Sequence, residues 1–115
     1  MAPIRVLVVD DDASIRDLFA IALSVEDGIG EVRLAENGSD AISVCRTFAP
    51  DVIVLDSTMP VMDGPQAAGI IREMCPHARI VAFSSQVDAK PQWADHYWPK
   101  GDLPDLAELK SLGAA

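Results

Sequence analysis

The sequence predicts an α/β fold, because short apolar runs alternate with helix-like stretches five times along its 115 residues. The runs are rich in β-branched residues, which is typical of strands buried on both faces. The stretches between them repeat their apolar residues at helical spacing. Strands that alternate with helices form a parallel sheet with right-handed crossovers and helices on both faces. We therefore predict a single domain built on a five-stranded parallel sheet.

Three strands and two helices are predicted in the first half of the chain. The strands occupy residues 4–9, 31–36 and 52–56. Apolar residues of the first helix fall at i, i+3, i+4, i+7 and i+8, and Asp12 or Ser14 caps its start. The second helix follows the turn at Asn37, and Ser39 or Asp40 caps it.

The second half of the chain supplies two further strands and two helices. The strands are predicted at residues 79–83 and within residues 93–98. Pro65 fits the first turn of the third helix, and Asp102 caps the last helix. Only fifteen residues separate Ser84 from Lys100, whereas a parallel crossover takes a dozen or more and usually includes a helix. We therefore expect the helix between the fourth and fifth strands to be missing or reduced to a turn or so.

Charge and composition argue against several classes of function. The formal net charge of −9 disfavours binding to nucleic-acid backbones and to anionic lipid surfaces. The apolar runs are far shorter than a membrane span, and Arg5 interrupts any start that resembles a signal peptide. Cys45 and Cys75 lie on helix-like stretches without metal-ligand spacing, so we expect two buried thiols in a reducing cytosol.

Polar residues follow four of the five strands and should gather at one edge of the sheet, because parallel strands all point the same way. They are Asp10, Asp11 and Asp12 after the first strand, Asp56 after the third, Ser84 and Ser85 after the fourth, and Lys100 after the fifth. In the flavodoxin-like strand order 2-1-3-4-5, ligands bind at the switch point between the first and third strands. Asp10, Asp11 and Asp56 should meet there.

These residues suit phosphoryl transfer onto a carboxylate. Neighbouring carboxylates repel one another unless a cation joins them, and their hard oxygen ligands suit Mg²⁺. Lys100 can pair with Asp56 and then with an anion placed on it, while Ser84 donates a hydrogen bond to the same anion. A carboxylate nucleophile, a divalent ion and a lysine together favour formation of an aspartyl phosphate.

With these motifs in place, the sequence resembles the receiver domain of two-component response regulators. The matching motifs are Val-Val-Asp-Asp-Asp at residues 8–12, Asp-Val-Ile-Val-Leu-Asp at 51–56, Met-Pro-Val-Met-Asp-Gly at 59–64 and Tyr-Trp-Pro-Lys at 97–100. The resemblance covers nearly the whole chain. It implies a cytoplasmic, stand-alone receiver-like domain at residues 1–115, with no output domain in this chain.

The resemblance also implies a role for each site residue. Asp56 would accept a phosphoryl group from a histidine kinase or phosphotransfer protein. The Mg²⁺ ligands would be Asp10, Asp11, Asp56 and the backbone carbonyl of Thr58. Lys100 and Ser84 would contact the phosphoryl group, Tyr97 would be the aromatic switch residue, and Asp12 would serve as a helix cap. Such a domain is a phosphoacceptor that catalyses its own phosphoryl transfer and slow autodephosphorylation, and is not otherwise an enzyme.

Three features depart from the usual receiver pattern or have no role in it. Loss of a helix would uncover the sheet near the fourth and fifth strands, where Trp93 and Trp98 either cover it or anchor a homodimer or another partner. Gly101 replaces the proline that often follows the lysine, so no cis peptide is expected there. The resemblance gives no role to His77 or His96, which we interpret as surface or loop residues.

Three alternatives share this fold. The first is a phosphorylation-independent scaffold or dimerisation module. The second is a Mg²⁺-dependent phosphohydrolase with an aspartyl-phosphate intermediate, although Thr58 would be a poor general acid two residues after the nucleophile. The third is a flavin-binding domain, which would need a phosphate-binding loop after the first strand, where three aspartates repel phosphate.

Overall fold

The computed structural model describes residues 2–85, 89–101 and 104–114, and these form an α/β domain around one parallel sheet. The strands are β1 (Ile4–Val9), β2 (Ile29–Ala35), β3 (Val52–Leu55), β4 (Arg79–Ser84) and β5 (His96–Pro99). The helices are α1 (Ala13–Ser24), α2 (Gly38–Phe48), α3 (Gly64–Met74) and α4 (Leu106–Ala114). The strand order is β2-β1-β3-β4-β5, which confirms the predicted topology.

Helices cover both faces of the sheet, as predicted. On β3 every side chain is buried, and alternate residues enter opposite clusters. Ile53 and Leu55 pack with α2 and α3, whereas Val52 and Val54 pack with α1 and α4. The two buried faces explain why this strand is apolar without alternation.

The helix starts show which cap predictions were right. Asp12 caps α1, because its Oδ1 accepts a hydrogen bond of 2.8 Å from the backbone N–H of Ser14. The cap of α2 is Asn37, which accepts from the backbone N–H of Asp40 at 2.9 Å. The expectation of a cap at Ser39 or Asp40 was therefore wrong, because the extended backbone of Asn37 already places its side chain over the first turn.

Several element boundaries also differ from the predictions. β2 begins at Ile29, because its ladder with β1 starts with the pair Ile4 and Ile29. β5 extends to Pro99, one residue beyond the predicted segment. On α3 the side chain of Ile70 is 40% exposed, whereas Ala68 is buried.

The described residues between β4 and β5, residue 85 and residues 89–95, contain no helix. This agrees with the predicted reduction of the crossover. Side chains of the connection cover the sheet locally: Ala94 is buried, and Trp93 packs against the apolar cluster beneath α2 and α3. Arg72 of α3 donates to the carbonyl oxygen of Trp93 at 3.0 Å and to Asp95 Oδ2 at 3.2 Å. Asp95 Oδ2 also accepts from the backbone N–H of Ile80 at 2.8 Å.

The last helix is anchored to β5 on the other face of the sheet. Trp98 is buried there, and its indole N–H donates to Glu108, which also pairs with His96 at 2.6 Å. Both tryptophans therefore pack within the domain.

The predicted cap Asp102 lies outside the described residues. None of the helices given above is long and apolar enough to cross a bilayer.

Candidate functional site

The pairing of β1 with β3 brings two acidic residues together at the carboxyl edge of the sheet. Val9 and Leu55 are partners in the ladder, so the residues that follow them, Asp10 and Asp56, lie side by side. The backbone N–H of Asp56 donates to the carbonyl oxygen of Val9 at 3.0 Å. Asp10 is 1% exposed and Asp56 4% exposed, so both carboxyl groups are largely removed from water.

Asp11 completes an acidic cluster with this pair. One carboxylate oxygen from each of Asp10, Asp11 and Asp56 lies within 4.8 Å of the others. Asp11 is exposed, so the cluster opens to solvent on its side. The backbone N–H of Asp12 donates to Asp10 Oδ1 at 2.9 Å. The side chain of Asp12 caps α1, as predicted.

Lys100 faces this cluster from the end of β5. Its backbone N–H donates to the carbonyl oxygen of Ser84 at 3.3 Å, which fixes the residue beside β4. Its Nζ lies 2.9 Å from Asp10 Oδ2 and 3.3 Å from Asp56 Oδ2. The structure therefore brings together the acids of the first and third strands and the lysine of the fifth, as the sequence predicted.

The acidic cluster fits an additional cation. Asp10 Oδ2 is buried and lies 2.9 Å from Lys100 Nζ. One ammonium group does not balance three neighbouring carboxylates, which repel one another unless further positive charge joins them. Their three oxygens, which lie within 4.8 Å of one another, provide the hard, anionic donor set that Mg²⁺ prefers.

Burial and charge shift the titration of the central pair. Burial raises the pKa of Asp56 above its ordinary value, the charge of Asp10 raises it further, and Lys100 partly offsets both. Burial lowers the pKa of Lys100, but the carboxylates of Asp10 and Asp56 outweigh this effect and raise it overall. Lys100 therefore holds its proton more tightly than a free lysine, and the ionised form of Asp56 is less favoured than that of a free aspartate.

Two serine hydroxyl groups form a hydrogen bond at the end of β4, and one of them belongs to the residue that follows Asp56. Ser84, at the end of β4, is fully buried, and its Oγ shares a hydrogen bond with Ser57 Oγ. Ser57 directly follows Asp56, and sequence reasoning assigned it no role as a partner of Ser84. The adjacent Thr58 is exposed and donates its backbone N–H to Asp56 Oδ1 at 3.4 Å.

Tyr97 lies on β5, paired in the ladder with Ala82. It is half-buried and packs against the apolar cluster beneath α2 and α3. A position on the strand that ends one residue before Lys100 is compatible with the predicted switch role.

The loop after β3 folds back closely on the backbone of Asp56. The backbone N–H of Gly64 donates to the carbonyl oxygen of Ser57 at 3.0 Å. A Cβ atom at Gly64 would lie 2.4 Å from the carbonyl oxygen of Asp56, far inside contact distance. Only glycine leaves room for this approach, so Gly64 sets the path of the loop beside Asp56.

A parallel 2-1-3-4-5 sheet with a buried acid pair and a lysine at its carboxyl edge defines an α/β domain with an acidic cluster at that edge. Residues 6–94 match the family described as response regulator receiver domain. This match covers most of the chain, and the chain belongs to that family. The matched range includes Asp10, Asp56 and Ser84 and ends before Tyr97 and Lys100.

The chain is similar to part of a longer protein. A protein-glutamate methylesterase/protein-glutamine glutaminase of Methanosarcina barkeri is 34% identical over 118 residues, covering 91% of this chain and 32% of the relative. The chain therefore spans about a third of that relative's length.

Solved structures agree on the fold. A CheY-like receiver domain protein from Methanospirillum hungatei has a TM-score of 0.85 and 21% identity, covering 98% of this chain and 95% of the other. The structure of histidine kinase ThkA in complex with response regulator protein TrrA gives a TM-score of 0.81 at 32% identity, covering 97% and 98% of the two chains.

Proposed function

We propose that this domain is a phosphorylation-controlled receiver in which Asp56 accepts a phosphoryl group from a histidine kinase or a phosphotransfer protein. The observation that carries the proposal is the meeting of Asp10, Asp56 and Lys100, with Nζ within 3.3 Å of both carboxylates. A buried aspartate held against a lysine and a second acid is the arrangement that an aspartyl phosphate requires. Residues 1–115 act in this proposal as one receiver unit.

The residues of the site would have different roles in phosphoryl transfer. Asp56 supplies the nucleophilic oxygen, and Lys100 remains charged and is placed to pair with the new phosphoryl oxygens. Asp10, Asp11, Asp56 and the backbone carbonyl of Thr58 would hold Mg²⁺. When bound, this ion supplies positive charge that neutralises the phosphoryl oxygens.

The two serines suggest how phosphorylation is signalled. Ser84 Oγ and Ser57 Oγ share a hydrogen bond next to Asp56. In the proposed switch, Ser84 exchanges this partner for a phosphoryl oxygen, and Tyr97 repacks on β5 in response. Both residues are therefore proposed as switch residues.

Similarity to a kinase-bound regulator supports the choice of phosphoryl donor. The response regulator TrrA was solved in complex with a histidine kinase and is 32% identical to this chain. We propose a donor of the same class here, acting in the cytoplasm. The proposed output is a change in protein–protein contacts. The proposed contact surface is the segment between β4 and β5, through which the domain would bind a partner or form a homodimer.

Phosphorylation can be tested directly with a small donor. The protein is incubated with Mg²⁺ and acetyl phosphate, and its intact mass is measured. We expect one added phosphoryl group in the wild type and none in Asp56→Asn. Asp17→Asn, an exposed aspartate on α1, is the matched control and should be phosphorylated like the wild type.

Two outcomes would contradict the proposal. Phosphorylation that persists in Asp56→Asn would place the acceptor elsewhere. A wild type that stays unmodified, both with acetyl phosphate and with a phosphorylated histidine kinase, would favour the phosphorylation-independent scaffold.

A further inference from the structure

Two cysteines contact each other across the interface between α2 and α3. Cys45 lies near the C-terminal end of α2, and Cys75 directly follows α3 as its C-terminal cap. Cys75 Sγ lies 3.8 Å from the carbonyl oxygen of Cys45, and both thiols are free. Because helices of a parallel α/β sheet run opposite to its strands, this pair lies at the edge away from Asp56.

The two thiols differ in their access to solvent. Cys45 is 5% exposed and belongs to the apolar cluster beneath the two helices. Cys75 is half-buried and lines a surface cavity of about 300 Å³ together with Met74 and His77. A small oxidant can therefore reach Cys75 from the cavity, whereas Cys45 lies behind it.

The environment of Cys45 keeps its thiol in the unreactive form. Burial, followed by the charge and the hydrogen bond of the neighbouring Cys75 side chain, raises the pKa of Cys45 to about 12. A neutral, buried thiol resists direct oxidation. The contact of Cys75 Sγ with the backbone of Cys45 places the two thiol groups at the same interface between α2 and α3.

We propose that Cys75 and Cys45 form a peroxide-sensitive dithiol, in which Cys75 is oxidised first and Cys45 then closes a disulfide between the ends of α2 and α3. The oxidant class is a small peroxide that enters through the cavity lined by Cys75. The proposal is independent of the phosphoryl chemistry at Asp56.

The two steps balance as follows. Cys75 Sγ attacks one oxygen of hydrogen peroxide, so a sulfur–oxygen bond forms, the oxygen–oxygen bond breaks, and one water is released. Cys45 Sγ then attacks the sulfenic sulfur of Cys75, so the disulfide forms, and the departing hydroxyl leaves as a second water with the Cys45 proton. The two thiols together give two electrons to the peroxide. The low thiolate fraction of Cys45 makes the second step the slow one.

Peroxide treatment followed by mass spectrometry tests the proposal. The full-length protein is exposed to hydrogen peroxide, quenched, digested without reductant and mapped. We expect the peptides that contain Cys45 and Cys75 to be joined in the wild type and to separate after dithiothreitol. Because methionines also gain oxygen, the joined peptide is the readout and not the total mass.

Two variants separate the roles of the thiols. Cys45→Ser should stop at a sulfenic acid on Cys75 that dimedone traps, and Cys75→Ser should leave Cys45 unmodified under the same conditions. Cys45→Ala serves as a second variant in case serine is not tolerated in the core, and circular dichroism confirms that each variant is folded. Oxidised wild type should melt at a higher temperature than reduced wild type and should still accept a phosphoryl group on Asp56.

Three results would overturn the proposal. One is a wild type that accumulates sulfinic acid on Cys75 without a joined peptide. Another is a disulfide between two chains, seen as a dimer on a non-reducing gel. The third is oxidation of Cys45 in Cys75→Ser at the wild-type rate, because it would show that Cys75 does not react first.

Discussion

The carboxyl group of Asp56 is subject to three competing effects. Burial and the neighbouring Asp10 disfavour its ionised form, and Lys100 favours it. Because the first two effects are larger, the pKa of Asp56 is raised in the folded chain. In the free protein, the negative charge on Asp56 therefore has an electrostatic cost. A bound metal ion, or a covalent phosphoryl group with its counter-ions, would offset this cost.

We expect Asp56→Asn to raise the melting temperature of the protein in EDTA at neutral pH. Because the pKa of Asp56 is raised in the folded state, the free energy of unfolding falls as the pH rises from the ordinary pKa of aspartate to the raised value. Asparagine does not titrate, so the variant does not lose this stability. The difference between variant and wild type should vanish below about pH 3.5, where both side chains are neutral. Calorimetry with Asp17→Asn as control measures this, and a variant less stable than wild type at neutral pH contradicts it.

Lys100→Ala should destabilise the fold by about 3 kcal/mol, the usual cost of leaving buried charges without a partner. Lys100 Nζ forms ion pairs with the carboxylates of Asp10 and Asp56, which are almost completely buried. Lys110→Ala is the matched control, because the pair between Lys110 and Glu26 is about a third exposed and should contribute less than about 1 kcal/mol. Urea denaturation of both variants gives the comparison, and equal losses would show that Lys100 has no special role.

At the scale of the structural elements, close contacts constrain the loop between β3 and α3. It begins at Asp56, turns through Ser57 and Thr58, and enters α3 at a capping box formed by Asp63 and Gln66. Pro65 occupies the first turn, where the sequence predicted it. The close approach of Gly64 to the backbone of Asp56 links the start of this helix to the site.

Two glycines of α3 should respond to alanine in opposite directions. Gly64→Ala should destabilise the protein by roughly 1–3 kcal/mol and slow phosphorylation, because its Cβ would displace the backbone of Asp56. Gly69→Ala, in the middle of α3 with nothing within 4 Å of the new atom, should stabilise it by up to about 1 kcal/mol. Urea denaturation and acetyl phosphate kinetics test both, and a harmless Gly64→Ala would show that the loop is adaptable.

At the scale of the whole molecule, the short connection between β4 and β5 is held by interactions with α3. Asp95 Oδ2 accepts hydrogen bonds from the backbone N–H of Ile80 and from the guanidinium group of Arg72. Ala94 and Trp93 lie over the sheet beside this contact. This network replaces the cover that a helix usually gives.

Asp95→Ala should therefore cost about 1–3 kcal/mol, because it leaves the N–H of Ile80 without its acceptor. Asp95→Asn keeps an oxygen for Ile80 but loses the charge that pairs with Arg72, so its loss should be smaller. Glu73→Ala, an exposed acid on α3, is the control and should change little. Chemical denaturation ranks the three variants, and equal stability of Asp95→Ala and Glu73→Ala would contradict the anchoring role.

The sequence by itself determined the order of strands and helices, the reduced connection after β4, and the gathering of Asp10, Asp56 and Lys100. These follow from local periodicity and from strand polarity, since parallel strands place their ends at one edge. Only the tertiary structure decided the bond between Ser57 and Ser84, because that bond joins residues far apart in the chain.

Tertiary packing likewise decided the anchoring by Asp95, the cap at Asn37 and the contact between Cys45 and Cys75. At Asn37 the nearby residues offered several equivalent caps, and the backbone path selected one. The other two contacts join separate elements, so they depend on how helices, loops and strands pack against one another. Local pattern predicts which elements form, whereas side-chain partners between elements are set by packing.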